Sequence, residues 1–544
     1  MFSLTDYGVF LSMIAISCMI GIYFGCLKKN QTTADYLLGG SKMTIAPVTM
    51  SMIASNISGI TLLALPADVY LYGANIGFLC ISMVIVSFLI IFLYLPVIMK
   101  LKVPSGFEYL NLRFDKNVRT LASLLFTFHL ISPLVCIVCM FYTTIGGFKA
   151  VIWSDVLQFL GMVISMLSVI LVGIKSIGGF DVVLNKAAEG HRLDFDFSFD
   201  PTIRDGFWPI ITAGTVLWLN ILCFNPSSVQ KYLSTSSLKN AKNVVIILCI
   251  SLFGVFALTT LTGVILYAKY EKCDPFSSGK ITKPDQILIH FFFDVAADIT
   301  GLPGIFIAGI FSASLSSLST SFNTLAATVY GDFILPNIHK DVSPKTERNL
   351  LKLIVVVFGM VCTVLTFAID QLTSLQNFVS SGQGCMGGLF VGLYSLGMLF
   401  PKANSKGAFW GTIVGFVISF WIASFNQWYN LQGAFNSFIK PLSVDGCNFS
   451  FNSSVLKPLI NVNKPFILYR LSYWYSSLIS AVLVTVVGVV ISCITKSEKE
   501  KLNPELISPF AHFIIKKVRG RREAHIISDL EENEKMMGYK FEKK

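Results

Sequence analysis

Charge is what this sequence has least of. Only 13% of its 544 residues are Asp, Glu, Lys or Arg, about half the share of a soluble protein. Hydrophobic residues reach 54%, including 46 Phe, and the mean hydropathy is +0.68. No water-facing surface can be built from that composition, which excludes a cytosolic enzyme, a nucleic-acid-binding module, a disordered chain and a fibre. The chain reads as an all-α polytopic membrane protein. Its net charge of +11 is no nucleic-acid signature, because twelve of the 42 Lys and Arg stand from Lys496 onward, beyond the last apolar segment. Basic residues there report topology. Metal-ligand patterns are also scarce. The twelve Cys include one CxxC, Cys136 to Cys139, inside an apolar run and without a second pair, so packed thiols are expected. No small-residue cleavage pattern follows the first apolar run, which continues to Lys28-Lys29, so it is expected to remain as a span.

Runs of about 20 apolar residues suffice to cross a hydrocarbon core of about 30 Å. They recur near 5–26, 43–72, 76–99, 119–145, 150–176, 207–229, 243–268, 303–330, 350–369, 376–400, 407–426 and 470–495. No Asp, Glu, Lys or Arg lies in the middle of any of them, which argues against a proton relay on a buried carboxylate and against a voltage sensor. A transmembrane domain is expected over 1–495, followed by a charged cytoplasmic tail, 496–544.

Twelve crossings put both termini on one side, and the charges disagree. Lys28, Lys29 and Lys42, then Lys100, Lys102, Arg113, Lys116 and Arg119, place the N-terminus outside. The basic tail asks to be inside, with Lys231, Lys239 and Lys242, while loop 177–206 carries six acids and suits the outside. Only an odd number of crossings satisfies both halves. The suspect is 119–145, which contains Pro133. Its 27 residues exceed one relaxed span, while two spans need roughly 40. It is expected to enter and leave from the inner side as a partial hairpin: a short helix ending near Pro133, then a helix leading into Gly146-Gly147.

Two segments are interrupted in corresponding places. In 43–72 the run Ala54-Ser55-Asn56-Ile57-Ser58-Gly59 puts small and polar residues at mid-span; 207–229 ends in Asn225-Pro226-Ser227-Ser228. Proline removes an N–H and clashes with the preceding turn, so the helix must open or end there. Paired breaks of this kind point to an inverted-repeat transporter; two ordinary polar kinks in a bundle are the alternative. Between Ala313 and Ser321 six hydroxyls stand in an apolar helix, with residues 313, 316 and 317 on one face. Such a face, with carbonyls freed by an unwound helix, could hold a sodium ion without a fixed charge. Membrane Ser more often bonds back to its own helix. Asp155 opens a helix, where a carboxylate suits the dipole.

Several runs then occur in order. They are Ala54 to Gly59 followed by Leu65-Pro66-Ala67-Asp68, the stretch Tyr142 to Asp155, Val229-Gln230-Lys231-Tyr232-Leu233-Ser234, the Ala313 to Asn323 helix, and Gly407-Ala408-Phe409-Trp410-Gly411. Together they resemble the sodium:solute symporter family over roughly 5–495. Phe107-Glu108-Tyr109-Leu110, Arg113-Phe114, Gly397-Met398 and Pro401 are most similar to its multivitamin, monocarboxylate and iodide branch. The resemblance implies a LeuT-like five-plus-five inverted-repeat fold with about 12 spans, the repeats covering about 43–176 and 207–400. It implies sodium-coupled symport of a small, anionic organic solute across the plasma membrane, with no enzymatic activity and no nucleic-acid partner.

Carried over residue by residue, sodium is held by backbone carbonyls of Ala54, Ile57 and Ala313 and the hydroxyls of Ser316 and Ser317, with Asp155 on its exit path. The solute lies near Ser55, Asn56, Ser58, Gly59 and Thr61, facing 207–225 and the glycine-rich 382–388. The glutamate of sugar-transporting members has no equivalent in 76–99. Pro226 stands where the family has Gln and Lys231 where it has Arg. About one membrane helix, the third of the first repeat and the mate of 303–330, is absent between Leu130 and Cys136. A non-transporting sensor and an inactive shortened isoform therefore stand as alternatives, and the oligomeric state stays open. On the expected outer face lie two glycosylation sequons, at Asn448 and Asn452, and Cys273 and Cys447, a candidate disulfide.

Overall fold

The computed structural model describes residues 3–27, 43–101, 106–129, 136–296, 299–337, 343–369, 375–432, 438–447, 466–495 and 503–513. Among these no strand occurs, only one isolated bridge, Met43 to Thr235. The helices are α1 Leu4–Ile22, α2 Ile45–Asn56, α3 Gly59–Tyr72, α4 Ala74–Leu101, α5 Glu108–Arg113, α6 Lys116–His129, α7 Cys136–Ile177, α8 Phe180–Glu189, α9 Phe207–Phe224 and α10 Pro226–Leu233. They continue with α11 Leu238–Tyr270, α12 Ile287–Ala296, α13 Leu302–Asn337, α14 Pro344–Ile369, α15 Leu375–Leu399, α16 Ser405–Leu431 and α17 Tyr475–Ile494. Among the described residues eight helices are long and apolar enough to cross a membrane, nine when the bent pair α2–α3 is taken as one span. The helices α14 and α15, of 26 and 25 residues, are also of spanning length. The expected twelve spans are thus matched except for 119–145, which is divided.

That division has a geometric cause. The 14 residues of α6 reach about 21 Å, short of a 30 Å core. The helix is held at one end of the bundle, where the Arg119 guanidinium pairs with Asp332 and Glu108. On the other side of 130–135, which lie outside the described residues with Pro133, the chain descends as the first arm of α7. Tyr142 donates its hydroxyl to the carbonyl of Leu315 at 3.2 Å, while Asp155 accepts from Ser316 at 2.6 Å. A straight helix would separate residues 13 apart by about 20 Å, yet both touch the same turn of α13. The chain therefore folds back between them. The turn is at Gly146-Gly147: Gly147 has φ 62° and ψ −159°, a conformation that costs little only for glycine. The break of the partial hairpin expected within 119–145, near Pro133, lies outside the described residues; the described part shows a short helix before it, α6, and a helix leading into the Gly146-Gly147 turn.

The two interrupted helices run antiparallel. Met43, just before α2, donates its N–H to Ser234, just after α10, at 3.0 Å. At the opposite end, the Ala74 N–H bonds the Arg192 carbonyl at 2.8 Å, and Asp196 N–H bonds the Asn75 side chain at 3.1 Å. Cys273 and Cys447 are joined there in a disulfide, Cα–Cα 5.1 Å. The 438–447 segment it anchors lies over the end of α3, with the Lys440 N–H on Leu71 at 2.9 Å and the Arg192 guanidinium bridging Tyr70 and Pro441 carbonyls at 3.0 Å each. Arg204 pairs with Asp68 at 2.9 Å and covers the Tyr72 ring at 3.6 Å. Loops at this disulfide end thus clasp one half of the broken helix, while Lys100, at the far end of α4, and Lys239 and Lys242, at the start of α11, lie at the other, basic end.

Candidate functional site

The break in the first interrupted helix is local chemistry. The α2 ladder closes when Ile57 donates its N–H to Ile53 at 3.0 Å, and Ile57 itself is extended, with φ −93° and ψ 99°. Carbonyls from Ala54 onward thereby lose their helical donors. The new helix is started by Ser58, whose hydroxyl accepts the Thr61 N–H at 3.2 Å. A cap of this kind stabilises a helix start by about 1 kcal/mol. The α2 and α3 axes are bent by 52°, so free carbonyls of one half and free N–H groups of the other meet at the same level.

Against this break stands α13. Its hydroxyls divide in two. Ser312, Ser314, Ser319, Ser321 and Thr324 donate back to carbonyls of their own helix, the ordinary behaviour of membrane Ser and Thr. Ser316 and Ser317 instead reach across: Ser317 donates to the Ser55 carbonyl on the broken rim at 3.1 Å, and Ser316 to Asp155 at 2.6 Å. Ala313 is fully buried on the same face. The two helices approach closely because residue 59 is glycine; a Cβ there would lie 2.8 Å from the Ser314 hydroxyl. Thus Ala54, Ile57, Ala313, Ser316 and Ser317 sit around one junction of α2, α3 and α13, and α7 brings Asp155 beside it.

Asp155 is fully buried and heavily bonded. It accepts from Ser51 and Ser316, each at 2.6 Å, and from Thr320 at 3.5 Å. The Lys231 ammonium lies 3.6 Å away and donates to the Ser51 carbonyl at 3.0 Å, to Ser55 Oγ at 2.8 Å and to Thr320 Oγ1 at 3.3 Å. This corrects the expectation of a bundle without buried charge. Both residues stand near the ends of their apolar runs, but the fold-back at Gly147 and the break at Asn225 carry them inward. Lys231 is the site residue that sequence reasoning missed. The available signal was a lone cation immediately after the second helix break.

The candidate solute residues are at the break, and several also serve the local structure. Asn56 donates to the Met52 carbonyl at 2.7 Å, and Ser55 to the same carbonyl at 3.2 Å. Across from them α9 opens at Asn225, whose side chain accepts the Ser227 N–H at 3.1 Å and caps α10. Of the two stretches expected to face the solute, 207–225 and 382–388, one contact with each other is described: Gly387 packs directly on the buried Asn220 side chain. Asn448 and Asn452 lie outside the described residues.

The sequence profile described as the sodium:solute symporter family matches residues 36–135 and 130–415. The two matched stretches meet at 130–135, inside the divided segment. The chain is 34% identical to the mouse (Mus musculus) sodium-coupled monocarboxylate transporter 2 over 539 residues, covering 93% of this chain and 87% of that protein. It is 33% identical to the human (Homo sapiens) sodium-coupled monocarboxylate transporter 1, covering 97% and 93%. That alignment runs over 569 positions, more than the 544 residues of this chain, so the relative carries stretches with no counterpart here. The human (Homo sapiens) sodium/iodide cotransporter is 30% identical, covering 93% and 86%. Among solved structures, a substrate-bound, outward-open sodium-coupled sialic acid symporter superposes with a TM-score of 0.72 at 22% identity, covering 92% of this chain and all of the other. The chain belongs to the sodium:solute symporter family.

Proposed function

We propose that the chain is a sodium-coupled symporter of a small organic monoanion of the monocarboxylate type, acting in the plasma membrane by alternating access. The observation that carries this reading is the junction of broken α2 with α13. Two hydroxyls, Ser316 and Ser317, leave their own helix and point at freed carbonyls and a carboxylate. The Ala54, Ile57 and Ala313 carbonyls with these hydroxyls would offer a hard cation five oxygens, and Asp155 would receive it on the inner exit path. The solute would bind at Ser55, Asn56, Ser58, Gly59 and Thr61. Its carboxylate would face the N-terminus of α3, where unpaired N–H groups and the helix dipole favour an anion. Sodium and solute then brace the same break from its two sides, which couples their binding. A membrane potential adds about 2.3 kcal/mol per charge per 100 mV to inward movement. In this reading the disulfide end is extracellular, where oxidised Cys persists, and the basic end is cytoplasmic.

The proposal is tested with the purified full chain in sealed proteoliposomes. An inward sodium gradient should drive accumulation of a short radiolabelled monocarboxylate above equilibrium, and an equal choline gradient should not. The shortened 116–146 stretch favours a second reading, sodium and solute binding without transport. Sodium-dependent binding with no accumulation would establish that second reading and overturn the first.

A further inference from the structure

The Lys231 ammonium stands in surroundings that would suit an ion. Its helix, α10, starts at the second break and lies along α13, where Thr324 donates to the Gln230 side chain at 3.2 Å. The Lys231 side chain is thereby carried inward and is only 2% exposed. Four oxygens from three other helices surround its head. Ser55 Oγ and the Ser51 carbonyl of α2 accept from it at 2.8 and 3.0 Å, and Thr320 Oγ1 of α13 accepts at 3.3 Å. The Asp155 carboxylate of α7 lies at 3.6 Å and is the most distant of the four. A buried ion pair held for its own sake would bring the carboxylate nearest, since close contact is what offsets the desolvation of two charges. The set here is one backbone carbonyl, two hydroxyls and one carboxylate. Those are hard oxygens, the donors that a hard metal cation takes.

We infer that these four oxygens form a second cation site, and that the Lys231 ammonium fills it in place of a sodium ion. A charge kept inside a membrane bundle asks for a role of this kind. The ammonium cross-links α2, α7 and α13 as a bound ion would, but it is covalently held and does not travel with the solute. The chain would then carry one sodium fewer per cycle than it would with this site open. Ser51 and Ser55 are four residues apart on α2, hence on one face, and Ser55 also gives its carbonyl to Ser317 at 3.1 Å. The filled site therefore adjoins the junction proposed for the transported ion without sharing its five oxygens. The inference rests on the sodium-coupled reading only for the identity of the ion.

The test is radioactive sodium binding to the purified full chain in nanodiscs, counted at saturation. Lys231→Ala, which vacates the cage, should bind one sodium ion more per chain than the unaltered protein. Lys231→Arg, which keeps a tethered cation, should bind no more than the unaltered protein. Lys231→Ala combined with Asp155→Asn should lose the extra ion. The thermal transition of Lys231→Ala should also stand at least about 2 °C higher in sodium chloride than in choline chloride, beyond any difference in the unaltered chain, because an ion held only by the folded state stabilises it. If Lys231→Ala unfolds in choline, sodium should recover it. Equal sodium counts in Lys231→Ala and the unaltered chain, or an extra ion that survives Asp155→Asn, would overturn the inference. So would Lys231→Ala staying unfolded in sodium while Lys231→Gln gains no ion. The count is a difference from the unaltered chain. The extra ion can thus appear when the α2–α13 junction binds none, and can fail to appear when that junction binds normally.

Discussion

The α13 helix and the stretch 116–146 beside it face the same junction and are built differently. The 36 residues of α13 cross the whole bundle, and several of its hydroxyls are satisfied within it, while Ser316, Ser317 and Thr320 work outward. The 116–146 stretch consists instead of the short α6 and the first arm of α7, which turns at Gly147. Among the described residues it meets α13 through Tyr142 and Cys139 on the Leu315 carbonyl and through Arg119 and Ser123 on Asp332. The face of α13 that carries Ser316 and Ser317 is fixed instead by α2, by the second arm of α7 and by α10. The half with more internal bonding keeps its geometry, and the half that leans on its neighbours is where stability should be low.

The largest expected effect tests the anchored half. Asp155→Asn leaves the Lys231 charge buried without its partner, and Lys231→Met does the same to Asp155. Each should lower stability by about 3–5 kcal/mol. Combined in one chain, the two changes should recover more than half of that loss, as read from thermal unfolding in detergent. Additive losses would mean that the two residues are not a pair.

The next effect tests the turn of the hairpin. Gly147→Ala forces a side chain into a positive-φ region essentially reserved for glycine, at a cost of about 1–3 kcal/mol, whereas Gly178→Ala, also at positive φ but in open space, should cost no more than this. If Gly147→Ala is neutral, the fold-back is not where the backbone places it. A cysteine at Lys149 should accordingly react with impermeant reagents only from the cytoplasm; labelling from outside would make 119–145 a full crossing. The smallest effect belongs to the contact between the two regions. Tyr142→Phe removes one hydrogen bond to Leu315, worth about 0.5–1.5 kcal/mol. A loss much larger than this would mean that the shortened stretch carries α13 rather than rests against it.

These features were unequally legible in the sequence. Pro226 and the Ala54 to Gly59 run announced both breaks, since proline and a cluster of small polar residues cannot continue an apolar helix. The i, i+3, i+4 spacing alone puts Ala313, Ser316 and Ser317 on one face. Charge bookkeeping at Lys28, Lys42, Lys100 and the tail asked for an odd number of crossings, and the length of 119–145 pointed to that segment as the divided one. The Asp155–Lys231 pair was not legible, because each residue is unremarkable in its own segment and 76 positions separate them. Only a fold-back and a helix break bring them together. Nor could the sequence separate the hydroxyls that bond back, such as Ser319 and Ser321, from those that reach across. That depends on which neighbour lies within about 3 Å, a tertiary property.

The central claim is that the shortened chain keeps a working sodium site at the α2–α13 junction. Radioactive sodium binding to the purified full chain tests it most directly. The account predicts saturable binding in the unaltered protein, and at least about tenfold weaker binding when Ser316→Ala or Ser317→Ala removes one oxygen; the thermal transition should fall more in Ser316→Ala, which takes a donor worth about 1.5–3 kcal/mol from the buried Asp155 carboxylate, than in Ser317→Ala. Absence of saturable binding in the unaltered chain, or undiminished affinity in both variants, would contradict it.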